Sequence, residues 1–204
     1  MRRNRGKTAM ARRIRQVVPV FALALLAGCI NLGKDPPDTL ISLTPHTTAP
    51  IGKLGKGSLA DAIMVLDPDV DRRLDVERVP VQVDTATLAY LKDAIWVERP
   101  ARQFRRVLAE TIRAKSNRLV IEGNDVEVGG KQVLSGRLLN MGYDASSQSV
   151  VVRFDALLED SDGSVKSQRF EALVPDVRAN AKNVAAALNE ATNDIAEQVT
   201  DWVG

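Results

Sequence analysis

Few chemically reactive side chains are present: the chain has one cysteine, one histidine, two Trp, two Tyr and four Phe in 204 residues. Each scarcity excludes something. One thiol cannot close an internal disulfide, so the fold must be stabilised by burial alone. With His46 as the only histidine and Cys29 as the only cysteine, neither a structural zinc site nor a Cys/His dyad can be assembled. A Ser-His-Asp triad would have to use His46, and no serine stands in a nucleophile-elbow glycine pattern. The expectation is a protein that is not an enzyme, with no catalytic residue, metal or cofactor. Long apolar runs are also missing. The longest begins at Val17 and is about a dozen residues, short of the roughly twenty that a spanning helix needs. No acidic residue occurs before Asp35.

That last absence directs attention to the first thirty residues. Arg2, Arg3, Arg5, Lys7, Arg12, Arg13 and Arg15 precede the run VVPVFALALLAGC, Val17 to Cys29. A basic segment, a short apolar run and small residues before a cleavage point make a secretory signal peptide. Its ending, Leu26-Ala27-Gly28-Cys29, resembles a lipobox, the bacterial lipoprotein signal. The resemblance implies diacylglyceryl transfer to the Cys29 thiol, cleavage after Gly28 and acylation of the new amino terminus, a palmitate-bearing anchor. Several acyl chains hold a protein lastingly on a bilayer where one does so only marginally. Ile30 follows the cysteine where, by the bacterial sorting rule, an aspartate would favour the inner membrane. The expected location is the periplasmic face of the outer membrane, with the inner membrane as the alternative.

Removing the leader reverses the net charge. Seven of the 28 Lys and Arg, and none of the 26 Asp and Glu, lie in it, leaving 21 cations against 26 anions, a net of −5. The pI near 8.8 is therefore a property of the precursor and points to no nucleic-acid partner. The expected organisation is a removed signal peptide at 1–28, a lipidated N-terminus and tether at 29–39, and one domain at 40–204.

Within that domain, Leu40 to Leu43, Ala62 to Leu66, Arg78 to Val83 and Leu119 to Ile121 read as short strands. Leu88 to Leu91 reads as an extended piece before Ile95-Trp96-Val97. Pro100 suits the first position of a helix, where a missing N–H costs nothing. From there Ala101, Phe104, Leu108, Thr111 and Ile112 recur at three and four residues, which predicts an amphipathic helix to Lys115 or Ser116. Val150, Val152, Phe154, Ala156 and Leu158 alternate with polar residues, as in a half-buried strand. Asp160 to Gly163 turns it into Val165 to Val174, and Asp144 to Gln148 turns it from a strand at about Gln132 to Tyr143. Asn180 can cap a last helix with the stripe Val184, Leu188, Ala191, Ile195, Val199 and Trp202. The predicted class is α/β: a single domain with a mixed sheet, an antiparallel C-terminal meander and two main amphipathic helices packed on it.

Two stretches imitate binding motifs and fail on inspection. In Gly52 to Ser58, Ser58 stands where a phosphate loop needs lysine directly after its last glycine. Asp67, Asp69 and Asp71 have the first spacings of a calcium loop, but Arg72 replaces the turn glycine and Arg78 the bidentate glutamate. Both read as loops with solvated charges. Trp96 and Trp202 read as core residues rather than partner anchors.

The order of these elements resembles the ABC-type transport auxiliary lipoproteins, the PqiC-like family. The resemblance rests on the lipobox, Leu40-Ile41-Ser42-Leu43, Leu88-Ala89-Tyr90-Leu91 with Ile95-Trp96, the helix from Phe104 to Ile112, Phe170-Glu171-Ala172-Leu173-Val174-Pro175, and the helix from Ala191 to Trp202. Residues 45 to 75 depart from the pattern in being polar and charged. What the resemblance implies is a membrane-anchored, non-catalytic adaptor. Its partners would be an MCE-domain substrate-binding protein and, indirectly, an ABC permease and ATPase, moving phospholipid or other hydrophobic molecules across the periplasm. Self-association into a homo-oligomer is compatible with it. The alternative is a periplasmic lipoprotein that carries a lipid itself, which would require a concave apolar pocket.

Overall fold

The computed structural model describes residues 39–52, 57–116, 118–123 and 132–204. The expected signal peptide, Cys29 and the expected tether up to residue 38 lie outside them, as do residues 53–56 of the glycine-rich stretch. Among the described residues no helix is long and apolar enough to cross a membrane.

The spine is the thirteen-residue strand β6, Gln132–Asp144. On one flank it pairs antiparallel with β7, Ser149–Glu159, which pairs antiparallel with β8, Val165–Val174. This is the expected meander. The other flank of β6 is shared by three short parallel strands in turn. β1 (Ile63–Val65) lies along residues 132 to 134, β2 (Asp69–Val70) along 137 and 138, and β3 (Arg78–Gln82) along 143 and 144. β4 (Leu88–Ile95) makes a hairpin with β3, and β5 (Val120–Glu122) runs parallel to β1. The result is a mixed, open eight-stranded sheet.

Three details differ from the sequence reading. The extended piece at Leu88 is a full eight-residue strand. Leu40 to Leu43 forms no strand, only the bridge of Ile41 to Trp96. The aspartate stretch is not all loop: Asp69 starts β2, Asp67 lies 2.8 Å from Arg105, and Asp71 lies 3.1 Å from Arg73. Alternation over two residues carries no periodic signal, so β2 could not be seen.

Two helices cover one face. Helix α1, Pro100–Lys115, has proline in its first turn and buries Phe104, Val107, Leu108 and Ile112. Helix α2, Ala181–Val203, is capped by Asn180, whose side chain accepts from the Asn183 N–H. Its stripe from Val184 to Val199 is buried as the spacing predicts. They pack on each other, α2 also against β7 and β8, and α1 against β5 and β1. Phe104 of α1 meets Phe154 of β7 with ring centroids 4.9 Å apart. Trp96 is 1% exposed, a core residue as read from the sequence. Trp202 is half-buried at the rim, edge-on to Phe170 with Lys166 above its ring.

Candidate functional site

The first described residues join the fold at the end of β4 and then run along the helix layer. Ile41 donates to the Ile95 carbonyl and accepts from Val97 N–H. Beyond it no strand among the described residues neighbours the backbone, so its buried polar groups need partners from side chains. The helices supply them. Gln103 Oε1 accepts from Leu43 N–H at 2.9 Å, and Asn189 Oδ1 from Thr44 N–H at 2.7 Å. Asn193 Oδ1 accepts from His46 N–H at 2.7 Å, while its Nδ2 donates to the Thr44 carbonyl at 3.0 Å. Glu110 Oε1 accepts from Ala49 N–H at 2.8 Å. Residues 41 to 49 thus form a strap bound to both α1 and α2.

Burial sets how much these bonds matter. Gln103 is fully buried and Asn193 is 3% exposed, so neither side chain can turn to water if its partner leaves. An unsatisfied buried polar group costs about 1–3 kcal/mol. Replacing Asn193 by leucine keeps a good helix former but strips the strap of two bonds. The expected result for the full-length chain is roughly tenfold faster limited proteolysis between residues 44 and 50. Unchanged cleavage there would show that Asn193 does not hold the strap.

Glu110 also joins the strap to a chain of ion pairs. Arg113 bonds Glu110 and, at 2.9 Å, Glu122; Arg105 lies 3.7 Å from Glu122 and 2.8 Å from Asp67. Burial opposes the charge on Arg113, but the hydrogen bonds it donates to Glu122 and Glu110, together with their negative charges, outweigh it and hold its pKa above the ordinary arginine value. These groups tie the strap to β5 and to the turn after β1.

The sheet face away from the helices carries a ladder of charges. Arg137, Asp155 and Arg169 stand in one cross-strand row, with Arg169 bidentate on Asp155 at 2.6 and 2.7 Å. The Arg169 hydrogen bond holds the Asp155 carboxyl below the usual range. In the next row Arg153 bonds Glu171.

His46 is exposed, with Nε2 3.4 Å from the Asn189 amide nitrogen, and its backbone belongs to the strap. Among the described residues no group of three or more His, Cys, Asp and Glu side chains could hold a metal ion. An open cleft of about 460 Å³ between the C-terminal ends of the helices has Ile112 and Val203 beside Lys115 and Arg118. Cys29 lies outside the described residues. The strap residues Gln103, Glu110, Asn189 and Asn193 were not legible as functional, although Asn189 and Asn193, four apart beside an apolar stripe, are the kind of signal that marks a bound neighbour.

Comparison with solved structures supports this architecture. Protein XCC0632 from Xanthomonas campestris, of the DUF330 family, is 18% identical, with a TM-score of 0.67 over 81% of this chain and 94% of that one. An uncharacterized protein is 12% identical, with a TM-score of 0.64 over 81% of this chain and all of that one. At these identities the likeness concerns the fold. Comparison with curated proteins finds no match. The family model described as "ABC-type transport auxiliary lipoprotein component" matches residues 43–200, from the strap through nearly all of α2. With that match across the sheet and both helices, the chain belongs to the ABC-type transport auxiliary lipoprotein family.

Proposed function

We propose that this protein is a lipid-tethered adaptor that holds an MCE-type conduit of an ABC transport system against a membrane. Its family makes it a transport auxiliary component of the cell envelope. The observation that carries the finer reading is the strap. A freely jointed tether would let the domain take any orientation, whereas residues 41 to 49 are bound to both helices. The eleven residues from Ile30 to Leu40 can extend about 40 Å at most. Acylated at Cys29, the domain would stand close to the bilayer with its helix layer as the point of attachment. That arrangement suits a docking role at the periplasmic face of the outer membrane. Among the described residues the cleft between the helix ends is open and bordered by Lys115 and Arg118, which suits an adaptor better than the enclosed apolar pocket a lipid carrier would use.

The transported molecule in this reading is phospholipid or another hydrophobic compound, handled by the partners. Crosslinking a tagged full-length protein in its native host and purifying it should recover an MCE-domain protein, with the permease and ATPase in lesser yield. Recovery of unrelated envelope proteins alone would overturn the reading. A stoichiometric lipid in the mass spectrum of the purified protein would instead favour a carrier.

A further inference from the structure

We propose that the outer edge of β8 is an isologous docking surface for a second copy of this chain, paired antiparallel about Phe170. Among the described residues this edge pairs with no strand. Proteins ordinarily blunt such edges by making them short, by bulges, by proline or by charged side chains. The other borders of the sheet follow that rule. β5 has three residues, while β4 contains Asp93 at positive φ and a shift in its register with β3. β8 carries only charge, on Lys166, Arg169 and Glu171: its ten residues pair one to one with β7 without a shift, and Pro175 comes only after its end.

The pattern of side chains along this edge selects one partner and one register. Val165, Ser167, Arg169, Glu171 and Leu173 are exposed, while Phe170 and Ala172 are buried under the helices. In antiparallel pairing about Phe170, Arg169 stands opposite Glu171 of the second copy, and the two-fold axis repeats the pair. Ser167 then stands opposite Leu173. Moving the axis by one residue puts Arg169 opposite itself or Glu171 opposite itself, and like charges directly opposite are destabilising. The row already present is Arg137, Asp155, Arg169. Across the junction it continues through Glu171 and Arg153 of the second copy, so the sign alternates over five positions.

The same axis satisfies the anchor. Paired residues of an antiparallel sheet point to the same face, so a two-fold axis normal to the sheet leaves both helix layers on one side. The strap lies in that layer. Both tethers would therefore leave toward one membrane, which a two-fold axis within the sheet plane would not allow. Isologous closure uses up both edges and stops growth at the dimer through this contact.

The test uses the full-length, membrane-inserted protein carrying Ser167→Cys and Leu173→Cys together. Oxidation should give a covalent dimer, because residue 167 of each copy faces residue 173 of the other. Either substitution alone should give none, since like positions lie six residues apart along the paired strands. Dimer formation by wild type and singles alike would report Cys29 instead. In detergent, Glu171→Lys should weaken the dimer roughly tenfold or more by sedimentation, since it replaces two attractive pairs with two repulsive ones. A thermal melt confirms that this variant folds, and where it does not, the cysteine pair decides. A monomer at tens of micromolar with no crosslink in membranes overturns the proposal. So does an oligomer in which the double-cysteine variant fails to crosslink.

Discussion

Cys29→Ser abolishes lipid labelling and leaves a precursor that still carries its seven-cation leader: that is the largest effect expected of any single substitution. The reason is chemical. A thiolate attacks the diacylglyceryl donor far better than a serine hydroxyl at neutral pH. Without the thioether the lipoprotein peptidase has no substrate, so cleavage after Gly28 fails as well. The domain itself should be untouched. Its core, from Ile41 to Val203, contains no cysteine and owes nothing to lipid among the described residues. The measurements are incorporation of labelled palmitate, the mass of the product, and its thermal melt. A labelled, cleaved product from Cys29→Ser would remove the lipobox and, with it, the membrane location on which the adaptor reading depends.

Gly136→Ala should be the most damaging small change inside the fold. Gly136 sits in β6 at φ +152, a conformation that side-chain-bearing residues rarely adopt. A Cβ there would lie 2.1 Å from the Asp155 carbonyl and 2.8 Å from two ring atoms of Phe154. Neither neighbour can move cheaply. The carbonyl belongs to the β6–β7 ladder, and the ring packs on Phe104. Backbone strain and overpacking together should cost about 3 kcal/mol or more, lowering the melting temperature by on the order of 10 °C. Gly163→Ala is the control. It lies at φ +80 in the β7–β8 turn with nothing within 4 Å of the added carbon, so it should cost only the left-handed strain of about 1–2 kcal/mol. Equal melting of the two variants would show that close contact at Gly136 is relieved by a small shift of β6.

Periodic features were legible because they are local. The two-residue alternation of Val150 to Leu158 marks which side of β7 is buried, whatever lies against it. The three- and four-residue spacing of Phe104 to Ile112 and of Val184 to Val199 does the same for the helices. Pro100 and Asn180 mark the starts of those helices, because a missing donor and a capping acceptor are properties of one residue. Features shorter than a period were not legible, hence the unseen β2 and the strand assigned to Leu40 to Leu43 that is only a bridge.

The sequence by itself therefore determined the α/β class and which face of each long element turns inward. Only the tertiary structure decided what those elements meet. Three short strands divide one flank of β6, and among the described residues no strand pairs with the outer edge of β8. The strap is held by Gln103 and Asn193 across 60 and 149 residues of chain. The physical reason is one of range. Burial preference is written residue by residue, whereas a hydrogen-bond partner, a ladder register or an unpaired edge exists only once distant segments have been brought within about 3 Å of each other.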